Sequence, residues 1–231
     1  MKNNELEKFL DLNTDHYFKK TKHIILKNKD MQVTYAVFMR RPVLFCPSLA
    51  IKWLRKIEKI RNTKFNIKMC YKEGEWVGAG EPLMFLSGKF SQLVELETTY
   101  LQLIGPASVA AYNAFKMCTD LPNTAFMAMD ARHCAGAHMH ELMAYGASVG
   151  SNKAKKEVNA KGFIGSSCKS TSYFFKSDHA LGTMPHALIG YAGSTLNAAK
   201  IYYNTFPDEP LTVLVDYFGK EISDTLEVCK Y

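Results

Sequence analysis

No two of the six cysteines lie close together: they stand at 46, 70, 118, 134, 168 and 229. There is no Cys-x-x-Cys and no regular spacing of a disulfide or zinc framework, so a stapled secreted scaffold is excluded and a reducing cytosol fits best. Unbroken apolar runs of about 18 residues are absent, which argues against a membrane span. The opening Met1-Lys-Asn-Asn-Glu-Leu-Glu-Lys carries both signs of charge and lacks the apolar centre of a signal peptide. A cytoplasmic protein, neither secreted nor membrane-bound, is expected. Long basic runs are missing as well. The densest cluster, Lys153 to Lys156, is three lysines around one alanine; it reads as solvated surface and argues against nucleic acid.

What is present is a chain of 231 residues, 47% apolar, enough to bury one large core or two modest ones. Its 29 basic and 22 acidic residues leave a formal charge of +7, which favours anionic partners through the summed field. Phosphorylated metabolites fit that field better than nucleic acid does.

Val33 to Met39 alternates and is rich in β-branched and aromatic residues, which predicts a strand; Ser48 is positioned to cap a helix from Leu49 to about Ile60. A second strand is expected over Phe65 to Tyr71. Glycines at 74, 78, 80 and 88 around two short apolar runs give the pattern of antiparallel turns. Residues 30 to 90 therefore suggest a small α+β domain. From Gln92 to about Cys118 apolar residues recur at helical spacing, with a possible break at Gly105-Pro106, as in a connector between domains.

Beyond it, short apolar runs alternate with helical stretches: Ala125 to Met129, Ala135 to Val149, Gly162 to Ile164, Ala187 to Tyr203, Leu211 to Val215. Such alternation predicts a parallel α/β arrangement, in which chemistry gathers at the carboxyl ends of strands. Those ends would be Asp130 to Arg132, Ser166 to Ser172, Gly182 to His186 and Asp216.

Gly182-Thr183-Met184-Pro185-His186 joins a flexible glycine, a hydroxyl, a rigid proline and an imidazole in a loop before a helix, where free backbone amides can also meet an anion. His186 could be a nucleophile, a proton carrier or a cap; taken alone, most histidines are simply packed or solvated. Asp216 follows a very apolar run, where a carboxylate is costly unless partnered or wet. His133, His138, His140 and Glu141 raise a metal site, but on a helix residues two apart point about 200° from one another, so His138 and His140 would not share an ion.

The segment Gly182-Thr-Met-Pro-His-Ala-Leu-Ile189 resembles the part of the nicotinate phosphoribosyltransferase family that holds the histidine phosphorylated by ATP. Thr14-Asp15-His16-Tyr17 resembles its N-terminal Thr-Asp-x-Tyr, and Glu97-Thr-Thr-Tyr-Leu-Gln-Leu-Ile104 its connecting helix. Met129-Asp-Ala-Arg132, Ser170-Thr171-Ser172 and Leu211-Thr-Val-Leu-Val-Asp216 resemble successive strand ends of its barrel. The resemblance implies an α/β chain: a small α+β domain with a connecting helix over residues 1–105, then over 106–231 an incomplete (β/α) barrel of the type II phosphoribosyltransferase kind. The family's barrel continues past the Asp216 strand, so a fragment or one piece of a split enzyme is expected, weak or inactive alone.

By the same resemblance this is a glycosyltransferase (also classed as a ligase) of NAD salvage. It would form nicotinate mononucleotide and pyrophosphate from nicotinate and phosphoribosyl pyrophosphate, with ATP and Mg2+. His186 would be the phosphohistidine and Asp216 an active-site acid near the ribose. Tyr17 would stack on the pyridine, from the second subunit of a homodimer; Thr183 would bond nicotinate; Arg132 would hold the ligand or a phosphate; and the 170–172 turn would lie in the substrate site. A flat aromatic face and a planar guanidinium suit those tasks. Two alternatives remain: nicotinamide or quinolinate phosphoribosyl transfer, and a non-catalytic ligand-binding fragment that needs a second chain.

Overall fold

The computed structural model describes residues 3–182 and 184–231. They divide into two compact units, one running to Ala180 and the other from Leu181 to Tyr231.

The first unit opens with α1 (Asn3–Asn13) and α2 (His16–Lys27). An antiparallel sheet follows, with β5 (Pro82–Lys89) between β1 (Gln32–Phe38) and β3 (Asn66–Met69). Register pairs Tyr35 with Leu86 and Ile67 with Leu86, and it shifts at Phe38, which faces Pro82. A short ribbon joins β2 (Val43–Leu44) to β4 (Trp76–Val77), and between them in sequence lies α3 (Ser48–Arg61). The mixture of antiparallel strands and helix expected over residues 30 to 90 is thus present, within the compact unit that runs to Ala180. Ser48, expected as a cap, is instead the first helical residue; Pro47 holds the cap position and the Ser48 hydroxyl donates to Glu73. Proline can precede a helix without loss because no intrahelical donor is required there. The helix ends on Asn62 in the left-handed conformation, as an Asn cap does.

After the short α4 (Phe90–Leu93) and a 3-10 turn comes α5 (Glu97–Asp120), which runs through Gly105 and Pro106 without a break. A proline inside a helix removes one backbone bond and costs about 3 kcal/mol. Burial of Leu103, Ile104, Ala107, Ala110 and Ala111 on the same helix offsets it. Those alanines meet α6 (Ala137–Val158), longer than the expected 135–149, at Gly146 and Gly150. A methyl group on Gly150 would stand 2.1 Å from the Ala111 carbonyl oxygen, and one on Gly146 2.3 Å from that of Ala107. Only glycine permits so close a crossing.

Helix α6 connects β6 (Ala125–Ala128) to β7 (Gly162–Ser166), which pair in parallel. This strand-helix-strand unit is the α/β arrangement that the sequence pattern predicts. One core joins most elements of the first unit, including the fully buried Leu44, Phe45, Leu54, Leu86, Leu96 and Tyr100, and a smaller cluster of Cys118, Ala154 and Ala160 packs with Phe126 of β6 and Phe163 of β7. Each large apolar side chain removed from water contributes about 1.5–3 kcal/mol.

After α7 (Lys169–Ser172), the second unit holds α8 (His186–Ala192), α9 (Thr195–Thr205) and α10 (Glu221–Cys229). The single helix expected over 187–203 is two. Gly193 takes φ 76°, closing α8, and the Ser194 hydroxyl accepts from the Asn197 amide, opening α9. The strand expected over Leu211 to Val215 does not form: these residues are irregular and pair with no strand among the described residues. Apolar composition does not hold a strand without a neighbour for its backbone groups. Leu211, Val213 and Leu214 pack instead, half-buried, on Met184, Ile189, Ala198 and Ala199. Among the described residues no helix is long and apolar enough to cross a membrane.

Candidate active site

Each unit carries part of the expected set. In the first, Thr14 and Asp15 fasten the turn between α1 and α2 to the start of α5. The Thr14 hydroxyl donates to the Glu95 carbonyl at 3.0 Å, the Asp15 amide donates to Thr98 Oγ1 at 3.3 Å, and that hydroxyl donates to Asp15 Oδ2 at 2.8 Å. Burial, reinforced by Asp15, pushes the Glu97 carboxyl up. Thr-Asp-x-Tyr therefore works locally as a clamp, and Tyr17 is left 60% exposed with its ring against Phe18. An exposed aromatic held on a fixed turn is a surface that a flat ring can meet.

At the carboxyl end of β6 the chain turns through a 3-10 segment, Ala131–His133, that carries Arg132 into solvent. Among the described residues no carboxylate pairs with it. Beside it the Cys134 thiol donates to Asp130 Oδ2 at 3.1 Å; desolvation, with the Asp130 charge, raises that thiol to about 11, so it is not a ready nucleophile.

At the end of β7, Ser166 and Thr171 hydroxyls bond each other at 2.7 Å, and Thr171 Oγ1 also meets His140 Nε2 at 3.3 Å. Thr171 and Ser172 are buried, the latter donating to the Lys169 carbonyl, while Ser170 is exposed. His140 is buried and His138 exposed, as expected for helical residues two apart. The Ser166–Thr171–His140 chain was not legible from spacing; nothing periodic links a residue of α6 to a turn 31 positions away.

In the second unit, His186 and Asp216 are 30 positions apart in sequence and meet, with Nε2 2.9 Å from Oδ1. An ionised carboxylate can only accept, so Nε2 carries the proton. That bond holds the Asp216 carboxyl below the usual carboxylate range. Both side chains are about half exposed, 45% and 56%, so a ligand can reach them. Next to the pair lies the ring of Tyr217, centroid 6.2 Å from the imidazole and tilted 28° to it. Thr183 lies outside the described residues.

A family model for the N-terminal domain of quinolinate phosphoribosyl transferase matches residues 15–108. No curated protein sequence matches the chain. Among solved structures, the fold is similar to nicotinate-nucleotide pyrophosphorylase from Pyrococcus furiosus, with a TM-score of 0.71 and 23% identity, over 94% of this chain and 53% of that one. The corresponding protein from Ehrlichia chaffeensis gives 0.66 and 16%, over 97% and 72%. Human nicotinic acid phosphoribosyltransferase gives 0.57 and 18%, over 78% and 41%. The chain thus spans about half the length of the Pyrococcus protein and less than half of the human one. The fold is α/β with type II phosphoribosyltransferase neighbours, consistent with an incomplete barrel after a small domain. The matched domain and two of these three neighbours are of the quinolinate or nicotinate-nucleotide pyrophosphorylase kind, so the nicotinate-specific resemblance widens to pyridine phosphoribosyltransferases generally.

Proposed function

We propose that this chain belongs to the machinery that transfers phosphoribose to the ring nitrogen of a pyridine carboxylic acid, with quinolinate as the favoured acceptor. The observation that carries this reading is the agreement of two independent likenesses: the quinolinate-type domain model over residues 15–108 and the fold of nicotinate-nucleotide pyrophosphorylase over 94% of the chain. In that reaction a bond forms between the pyridine nitrogen and the anomeric carbon as pyrophosphate leaves. Quinolinate carries one carboxylate more than nicotinate, so its conversion to nicotinate mononucleotide also releases carbon dioxide.

Such a transition state carries positive charge on the sugar and a departing polyanion, so electrostatic placement supplies most of the catalysis. Arg132, exposed and unpaired with any described carboxylate, suits a carboxylate or phosphate of the ligand. Tyr17 offers its face to a heterocycle. Magnesium characteristically binds through phosphate oxygens with one or two protein carboxylates. The exposed Asp216 fits that donor set as a single carboxylate, and the ion would neutralise pyrophosphate charge there.

A second reading, nicotinate as acceptor with ATP phosphorylating His186, is favoured by the His186–Asp216 hydrogen bond, because a carboxylate that fixes an imidazole makes it a better phosphoryl acceptor. Titrating the chain calorimetrically with quinolinate, nicotinate and nicotinamide, with and without phosphoribosyl pyrophosphate and Mg2+, separates these readings when pyrophosphate and carbon dioxide are assayed in parallel. Tightest binding of quinolinate is expected. Preference for nicotinate with ATP-dependent labelling of His186 would move the reading to the second acceptor. Binding of no pyridine under any condition would overturn both.

A further inference from the structure

We propose that Tyr217 is a positioning residue for His186, seated by Gly190 so that its ring lies along the imidazole and keeps the His186–Asp216 pair in one orientation. The inference deepens the second reading above, in which His186 accepts a phosphoryl group, and rests on that reading.

Four contacts within the second unit support it. Asp216 holds the imidazole by one nitrogen, at 2.9 Å, which alone leaves the ring free to tilt about that bond. Tyr217 lies alongside the imidazole at 6.2 Å between centroids, within the range in which aromatic pairs attract, and restricts that tilt. Its own position is limited by α8 as well. A methyl group on Gly190 would come within 2.7 Å of the Tyr217 hydroxyl oxygen and 3.3 Å of the ring carbon bearing it. Gly190 has no positive φ and caps no helix, so what a side chain there would meet is this phenol and not a backbone constraint. Phe218 also meets Tyr217 edge-on, with centroids 4.7 Å apart and planes at 88°. Asp216 and Tyr217 are neighbours in sequence, so the residue that bonds the imidazole and the residue that flanks it move as one segment.

The side-chain 15N spectrum of His186 in the full chain, assigned by loss of the signal in His186→Gln, tests this. The native protein is expected to show two resolved imidazole nitrogens with a slowly exchanging Nε2 proton. Tyr217→Leu is expected to collapse them to an exchange-averaged pair, and Tyr217→Phe, which keeps the ring, to retain the native pattern. Gly190→Ala should displace the phenol and move the pattern part of the way toward that of Tyr217→Leu, and adding Tyr217→Phe should move it back toward the native one, because the closest approach, 2.7 Å, is to an oxygen that phenylalanine lacks and the 3.3 Å approach to the ring carbon needs only a small shift. Native spectra in Tyr217→Leu, or no recovery in the double variant, would overturn the proposal. If Tyr217→Leu does not fold, the glycine pair decides. In parallel, labelling of His186 from γ-labelled ATP should fall roughly tenfold to a hundredfold in Tyr217→Leu, as misplacement of a reacting group does. Spectra that behave as expected with no label in any form would remove the phosphohistidine reading and leave the positioning role standing.

Discussion

The two compact units solve the problem of staying folded in different ways. Up to Ala180 the chain buries a continuous core of large side chains drawn from most of its elements, with two helices locked together through Gly146 and Gly150. From Leu181 onward, about 50 residues have, among those described, a buried apolar core of Met184, Ile189, Ala198 and Ala199. A segment of that size removes too little apolar surface to be more than marginally stable on its own. Specific polar contacts do more of the holding there: Thr195 to the buried Asp224, His186 to Asp216, Ser194 to the amide of Asn197. The unit with the best-defined candidate chemistry is therefore the one with the thinner core, an arrangement common where active groups need to move.

The contrast can be broken from either side. The largest effect is expected from Leu54→Ala, which empties a fully buried site of the first unit and should lower stability by about 2–5 kcal/mol, read as a shift of the main urea transition. Gly150→Ala forces a methyl against the Ala111 carbonyl and should cost about 1–3 kcal/mol in the same transition. Thr195→Val strips the hydroxyl donor from the buried Asp224 carboxylate. It should destabilise by about 1–3 kcal/mol and speed amide exchange in α9 and α10 while leaving α5 unchanged; equal acceleration in both units would show that they unfold together.

The smallest effect is that of pH on the His186–Asp216 bond. The Asp216 carboxyl is held below its ordinary value when folded, so the bond contributes at pH above the ordinary carboxylate range and is lost as pH falls through the lowered folded value. Acidification from neutral pH should break this bond only below that range, and Asp216→Asn should remove the corresponding acid step from the pH dependence of amide exchange in the second unit.

Much of the first unit was legible because its elements repeat at their own periods. Val33 to Met39 alternates and became β1, and the apolar spacing from Gln92 became α5, although Pro106 left its continuity open. Gly193-Ser194-Thr195 is a helix stop and start in the ordinary sense, and the apolar pattern that continues on either side of it masks the break. The 211–215 run misled for the opposite reason, since a strand is a property of two segments and one segment carries no record of a missing neighbour.

By itself, the sequence determined most of the first unit's elements and their order and left no spacing for a disulfide framework, because each is written in local composition and spacing. Only the tertiary structure decided that Thr171 and Ser172 turn inward while Ser170 stays exposed, that Tyr17 stands on a Thr14–Asp15 clamp, and that His186 meets Asp216 beside Tyr217. Those outcomes depend on which distant side chains compete for the same space and the same hydrogen bonds, and no local pattern encodes that competition.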